Sequence, residues 1–221
     1  ALPLRSIPDA LDEARRCVAE LGFVSLTVPC AVGDRNPDDA ENDPLYALAE
    51  ELDVPVGFHA GGPRFAYGRF VDAYATLHAL EFPYDVMFAA ATLVCGGVLE
   101  RFAHLRVLLL EAGSAWGPYM FERFDEHWEK RPQEMPHLTK APSEYLADGR
   151  LVVSCEGERH LPHALAGLGG QAVVFASDYP HWDSEFPDSV RRIADRTDLT
   201  DAEKGAVLQV NARRVYGWEA R

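Results

Sequence analysis

Five short apolar runs, each separated from the next by a longer stretch with helical character, constrain the fold of this chain more than any other feature. They lie at 23–28 (FVSLTV), 54–58 (VPVGF), 107–110 (VLLL), 151–155 (LVVSC) and 173–176 (VVFA). Three of the five are nearly continuous in apolar residues, as parallel strands covered on both faces are. Their alternation with helical stretches predicts an α/β architecture. The helices have readable ends. Ser6 is placed to cap a helix with Pro8 in its first turn, where Leu11, Ala14, Val18 and Leu21 share a face before Gly22. Thr200-Asp201-Ala202-Glu203 has the form of a capping box ahead of Val207 and Val210. Further helices are expected across 44–52, 84–102, 119–130 and 189–196, with a Pro-rich loop over 131–142.

The functional signal lies in the residues just after each strand. In parallel α/β folds the loops at the carboxyl ends of the strands converge on one rim, which holds the chemistry. The runs lead into His59, Glu111, Glu156 and Asp178, with Cys30 after the first. Each of these has an ordinary reading as a solvated loop residue. Four ionisable groups placed alike on one rim are harder to dismiss, because burying charge is costly unless it is paired or bound to metal.

Charge narrows the partners. The chain has 221 residues with 21 Lys+Arg against 35 Asp+Glu, a net charge of −14, which argues against nucleic acid or an anionic membrane surface. A composition 48% apolar and 25% charged excludes disorder as the main state. The longest apolar stretch, 87–99, is too short to span a bilayer, and no signal-peptide pattern opens the sequence. Cys17, Cys30, Cys95 and Cys155 form no C-x-x-C pair and suit free thiols in a reducing compartment. A cytoplasmic protein acting on a small molecule is expected, with homo-oligomerisation left open.

The residues then show a family resemblance. Phe58-His59-Ala60-Gly61-Gly62, Gly97-Val98-Leu99-Glu100-Arg101-Phe102, the block 105–113 (LRVLLLEAG) and Ala176-Ser177-Asp178-Tyr179-Pro180-His181-Trp182 occur in an order that resembles the amidohydrolase-related (amidohydrolase 2) proteins. This metal-dependent TIM-barrel group includes aminocarboxymuconate-semialdehyde decarboxylase. The resemblance runs over almost the whole chain, and its last block is the most specific. It implies a (β/α)8-type barrel, here a single domain over 1–221. His59 resembles the metal-binding histidine after the fifth barrel strand. Asp178 resembles the aspartate after the eighth, which contacts the metal or its water and handles a proton. The implied cofactor is a divalent metal ion, with Zn expected from the imidazole and carboxylate donors. Their other readings are a core histidine and a turn aspartate ahead of Pro180.

Two departures from the family pattern stand out. No H-x-H occurs in the sequence, so the resemblance implies a partial barrel, strands four to eight, lacking the strand that supplies that ligand pair. Glu111 stands where the characterised decarboxylases carry a histidine. It is open to binding a basic group, acting as a general base, supporting the metal shell or pairing with an arginine. Glu156 is a rim carboxylate or a loop charge, and Trp116, Trp182 and His181 are candidates to line a substrate pocket, with packing under the loops as the aromatics' other fate. His160-Leu161-Pro162-His163 has a metal-like spacing, but Pro162 fits a helix start better. Gly167-Leu168-Gly169-Gly170-Gln171-Ala172 precedes a strand instead of coming after one, so it is not a dinucleotide fingerprint. No G-x-S-x-G occurs. The expected activity is metal-dependent hydrolysis of a small carboxylate or cyclic substrate, with an H-x-H pair supplied. The alternatives are non-oxidative decarboxylation and a catalytically silent fragment or interaction protein.

Overall fold

The computed structural model describes residues 1–61 and 71–218. Five parallel strands form one sheet: β1 (Leu26–Pro29), β2 (Val56–His59), β3 (Val107–Leu109), β4 (Leu151–Cys155) and β5 (Val173–Phe175). Each pairs with the next in sequence, in registers anchored by Leu26 with Val56, Val56 with Val107, Val107 with Leu151 and Val153 with Val173. All five expected strands are present. Their order and single direction make the sheet part of a barrel wall, with every carboxyl end on the same rim.

Helices connect the strands on one face. Before β1 lies α1 (Ile7–Ala19), whose Ser6 cap accepts a hydrogen bond from the Asp9 amide at 3.4 Å. The chain continues through α2 (Asp43–Glu51), α3 (Tyr74–Cys95), α4 (Val98–Arg101), α5 (Gly117–Lys130), α6 (Leu161–Leu168) and α7 (Arg191–Ala194). It ends in α8 (Asp201–Gly205) and α9 (Asn211–Val215), joined by a π turn at Ala206–Val210. The Thr200–Glu203 capping box opens α8, and Pro162 sits in the first turn of α6.

The largest departure from expectation is α3. It begins at Tyr74, ahead of the expected start at 84, and carries Pro83 in its interior, although proline lacks the amide donor and crowds the preceding turn. Burial of Val86, Ala89, Ala90, Leu93 and Val94 against the sheet anchors the helix past that defect. It ends at Gly96-Gly97, where Gly97 takes φ 73°, a left-handed value that glycine adopts without a Cβ clash. The Arg101 guanidinium donates to the Gly96 carbonyl at 2.9 Å and satisfies that end.

Alternation along the strands divides the interior. Val56, Phe58, Val107, Leu109, Leu151 and Val153 face the helices and join one large core with Tyr46, Leu93, Phe121 and Leu161. Leu108, Val152 and Val174 face the other way and pack with Val215, Leu110 and Tyr216. The C-terminal segment therefore covers part of the inner face. Asn211 clamps it, its buried Nδ2 donating to Gly170 O at 2.6 Å and Val173 O at 2.7 Å. No helix among the described residues is long and apolar enough to cross a membrane.

Candidate functional site

His59 is the last residue of β2. Its Nδ1–H donates to the Ala60 carbonyl at 2.7 Å, which leaves Nε2 directed at the rim. There it meets Glu111 Oε2 in a close hydrogen bond. The bond to Glu111 raises the His59 pKa against the opposing effect of burial. Gly62, the last residue of the motif that begins at Phe58, lies outside the described residues.

Glu111 and Asp178 reach the rim by the same backbone device. Glu111 comes after β3 with φ 59° and Asp178 after β5 with φ 52°, left-handed values that cost a non-glycine residue about 1 kcal/mol or more. The turn at each re-aims the side chain over the sheet end. The Glu111 amide is held by Ser154 Oγ on the neighbouring strand at 2.9 Å. The Asp178 carbonyl accepts the His181 amide at 2.9 Å, closing a turn that brings the imidazole back: His181 Nδ1 lies 2.8 Å from Asp178 Oδ1 and 3.6 Å from Glu111 Oε1.

Ligand atoms of Glu111, Asp178 and His181 thus all lie within 4.8 Å of one another. His59 does not belong to that mutually close set and joins it through Glu111. Burial and the charge of Glu111 raise the Asp178 pKa, with His181 opposing. Burial also works to raise Glu111, but the hydrogen bond and charge of His59 bring it below its usual value. Glu111 Oε1 is buried and finds no hydrogen-bond partner among the described residues.

Glu156 comes directly after β4 and faces the same carboxylates. Burial, then Asp178, Glu158 and Glu111, push its carboxyl up to about 7. Glu158, which no sequence pattern singled out, ties two rim loops together: it accepts from the Ser114 amide at 2.6 Å and hydroxyl at 2.5 Å, and from the Glu156 amide at 2.9 Å. Trp116 is half-buried and packs against the main core, its indole N–H donating to Gly113 O at 2.8 Å. Trp182 stands at the mouth, 67% exposed. His78 and Phe82 of α3 also reach the site, the Phe82 ring lying edge-on to His59 at 5.7 Å. The spacing Tyr74-x3-His78-x3-Phe82 was the available signal, hidden because the helix was expected to start after Pro83.

The Amidohydrolase family profile matches residues 1–218. A gamma-resorcylate decarboxylase of Rhizobium sp. (strain MTP-10005) is 26% identical over 98% of this chain and 68% of its own length. The 2,6-dihydroxybenzoate decarboxylase structure from Rhizobium superposes with a TM-score of 0.82 at 25% identity, over 99% of this chain and 70% of that one. A dihydroxybenzoic acid decarboxylase from Polaromonas sp. JS666, with bound manganese and 2-nitroresorcinol, gives 0.80 at 22% identity, over 99% of this chain and 68% of that one. All three are decarboxylases, so the expectation of a hydrolase is not supported, and the third holds manganese where zinc was expected. The fold, the ordered strand-end motifs and the profile agree, and the chain belongs to the amidohydrolase family.

Proposed function

We propose that this chain carries the active-site rim of a non-oxidative decarboxylase that uses a divalent metal ion and acts on a small aromatic carboxylate. The observation that carries the reading is the buried Oε1 of Glu111, which accepts no hydrogen bond from the described residues and lies within a cluster of carboxylates and imidazoles. A charged oxygen removed from water without a partner is costly, and a cation at this point would satisfy it. The donor set fits such an ion. Asp178, Glu111 and His181 offer oxygen and nitrogen donors close to one another, and His59 would offer Nε2 on giving up the proton it directs at Glu111. Imidazole with carboxylate suits manganese and zinc alike. When bound, the ion would supply Lewis acidity toward the substrate's oxygens.

The remaining chemistry belongs to the chain's own residues. In non-oxidative decarboxylation the bond from ring carbon to carboxylate breaks, the electron pair stays on the ring carbon, CO2 leaves and a proton takes its place. The Asp178–His181 pair, joined at 2.8 Å, is the proton carrier placed at the rim. The raised pKa of Asp178 brings its carboxyl nearer to working as an acid at neutral pH. Glu156, pushed up to about 7, is a second group that holds a proton there.

The test measures retained metal and CO2 release from 2,6-dihydroxybenzoate, together with deuterium uptake from D2O into resorcinol. With an H-x-H pair supplied, wild type loaded with Mn²⁺ should retain metal and show both reactions. His59→Ala and Asp178→Asn should lose metal, and Asp178→Asn should slow deuterium uptake by roughly a hundredfold or more, the usual scale for losing a general acid. Retained metal in both variants, or metal-loaded wild type without CO2 release, would overturn the reading.

A further inference from the structure

Six side chains form a perimeter, five of its links being side-chain contacts and the sixth the peptide bond between His181 and Trp182. Glu111 is hydrogen-bonded to His59, and the His59 ring meets Phe82 edge-on at 5.7 Å. Phe82 stacks on His78 with centroids 4.1 Å apart and planes 28° apart. His78 meets Trp182 at 6.0 Å and 70°. Trp182 adjoins His181, whose Nδ1 returns to Glu111 at 3.6 Å. One half of this perimeter is carboxylate and imidazole, and the other half is a ladder of flat rings.

The ladder has a simple origin. Tyr74, His78 and Phe82 are four residues apart on α3 and so lie along one stripe of the helix. Tyr74 extends the stripe outward, 5.6 Å from His78 and 6.5 Å from Trp182. The ladder is not packed away in the core: Trp182 is 67% exposed and Tyr74 66%. Aromatic faces left open to water beside a charged cluster gain free energy when something flat covers them.

We propose that His78 and Trp182, with Phe82 behind them, are specificity-determining residues of this site. They would receive the flat face of an unsaturated ring whose carboxylate points toward the His59–Glu111 side. This rests on the decarboxylase reading for the orientation of the carboxylate. Selection comes from the π faces, because aromatic pairs favour stacked and edge-to-face contacts beyond what buried area alone supplies. A saturated ring of the same size and charge gains the area without that contribution.

The test compares benzoate with cyclohexanecarboxylate, equal in charge and similar in size, by titration calorimetry on the Mn²⁺-loaded 221-residue chain. Benzoate should bind several-fold more tightly. Trp182→Leu and His78→Leu should each weaken benzoate by about three- to tenfold, the scale of one aromatic contact, and leave cyclohexanecarboxylate unchanged. His78→Phe should restore the preference, since it keeps the flat face. Thermal melts matching wild type would confirm that these substitutions leave the fold intact. Equal affinities in wild type, absence of benzoate binding, variants that weaken both ligands alike or variants without effect would each overturn the proposal; the last would leave the ladder as a surface for a protein partner. CO2 release with an unchanged benzoate preference in the variants would refute the wall and spare the decarboxylase reading. A ring preference lost in the variants, in a chain that releases no CO2, would do the reverse.

Discussion

Glu156 is the rim residue whose ionisation most opposes its surroundings. Burial and then the charges of Asp178, Glu158 and Glu111 push its carboxyl up from 4.5 to about 7. The folded state therefore holds a proton there that the unfolded chain releases. The resulting stabilisation is complete below the unfolded value of 4.5 and is lost as pH rises through about 7. Glu156→Gln removes the titration. In metal-free protein the variant should match wild type near the acid end and be more stable above neutrality, as urea unfolding at the two pH values would show. Equal stability of the two proteins at both would contradict this. The identities of His59, Glu111, Glu156 and Asp178 could be read from the sequence because each comes after an apolar run, and parallel strands put such positions on one rim. The left-handed turns at Glu111 and Asp178 could not, because glutamate seldom adopts that region and aspartate does so at only a minority of its positions. Glu158 was also hidden, since its importance lies in amides and a hydroxyl, some of them supplied by a loop far away in sequence.

Among the elements, caps were legible and interruptions were not. Ser6 and the Thr200–Glu203 box announce their helices locally, whereas the passage of α3 through Pro83 depends on the residues that the helix buries later in its length. The π turn at Ala206–Val210 has no sequence signature either. Its neighbour α9 is fastened by Asn211, which is 1% exposed and bonded to two carbonyls next to β5. Asn211→Ala would leave both without this donor in a place water does not reach. The expected loss is about 2–3 kcal/mol, and a chain of this size should lose several degrees of Tm. Calorimetric melting of the variant checks it, and an unchanged midpoint would show that the C-terminal segment is held by its apolar contacts alone.

At the scale of the whole molecule, the family resemblance implied a partial barrel, and the five-stranded parallel sheet agrees with it. Among the described residues β1 and β5 each pair on one side only. Unpaired parallel edges are templates for association, so the isolated chain should self-associate with rising concentration, measured by light scattering after size-exclusion chromatography. A monodisperse monomer across the concentration range would show that the edges are shielded in another way. The sequential order of the strands also bears on how the protein is made. Every strand after the first finds a partner among residues already translated, so the sheet can be laid down by accretion as the chain leaves the ribosome. His59 emerges with β2, Glu111 only after β3 and Asp178 only after β5. At about 5–20 residues per second, several seconds separate the histidine from the final acid. The mutually repelling carboxylates are thereby added one at a time to a scaffold that can already resist them, and a nascent chain stalled before Asp178 would hold most of the architecture and none of the proton-carrying pair.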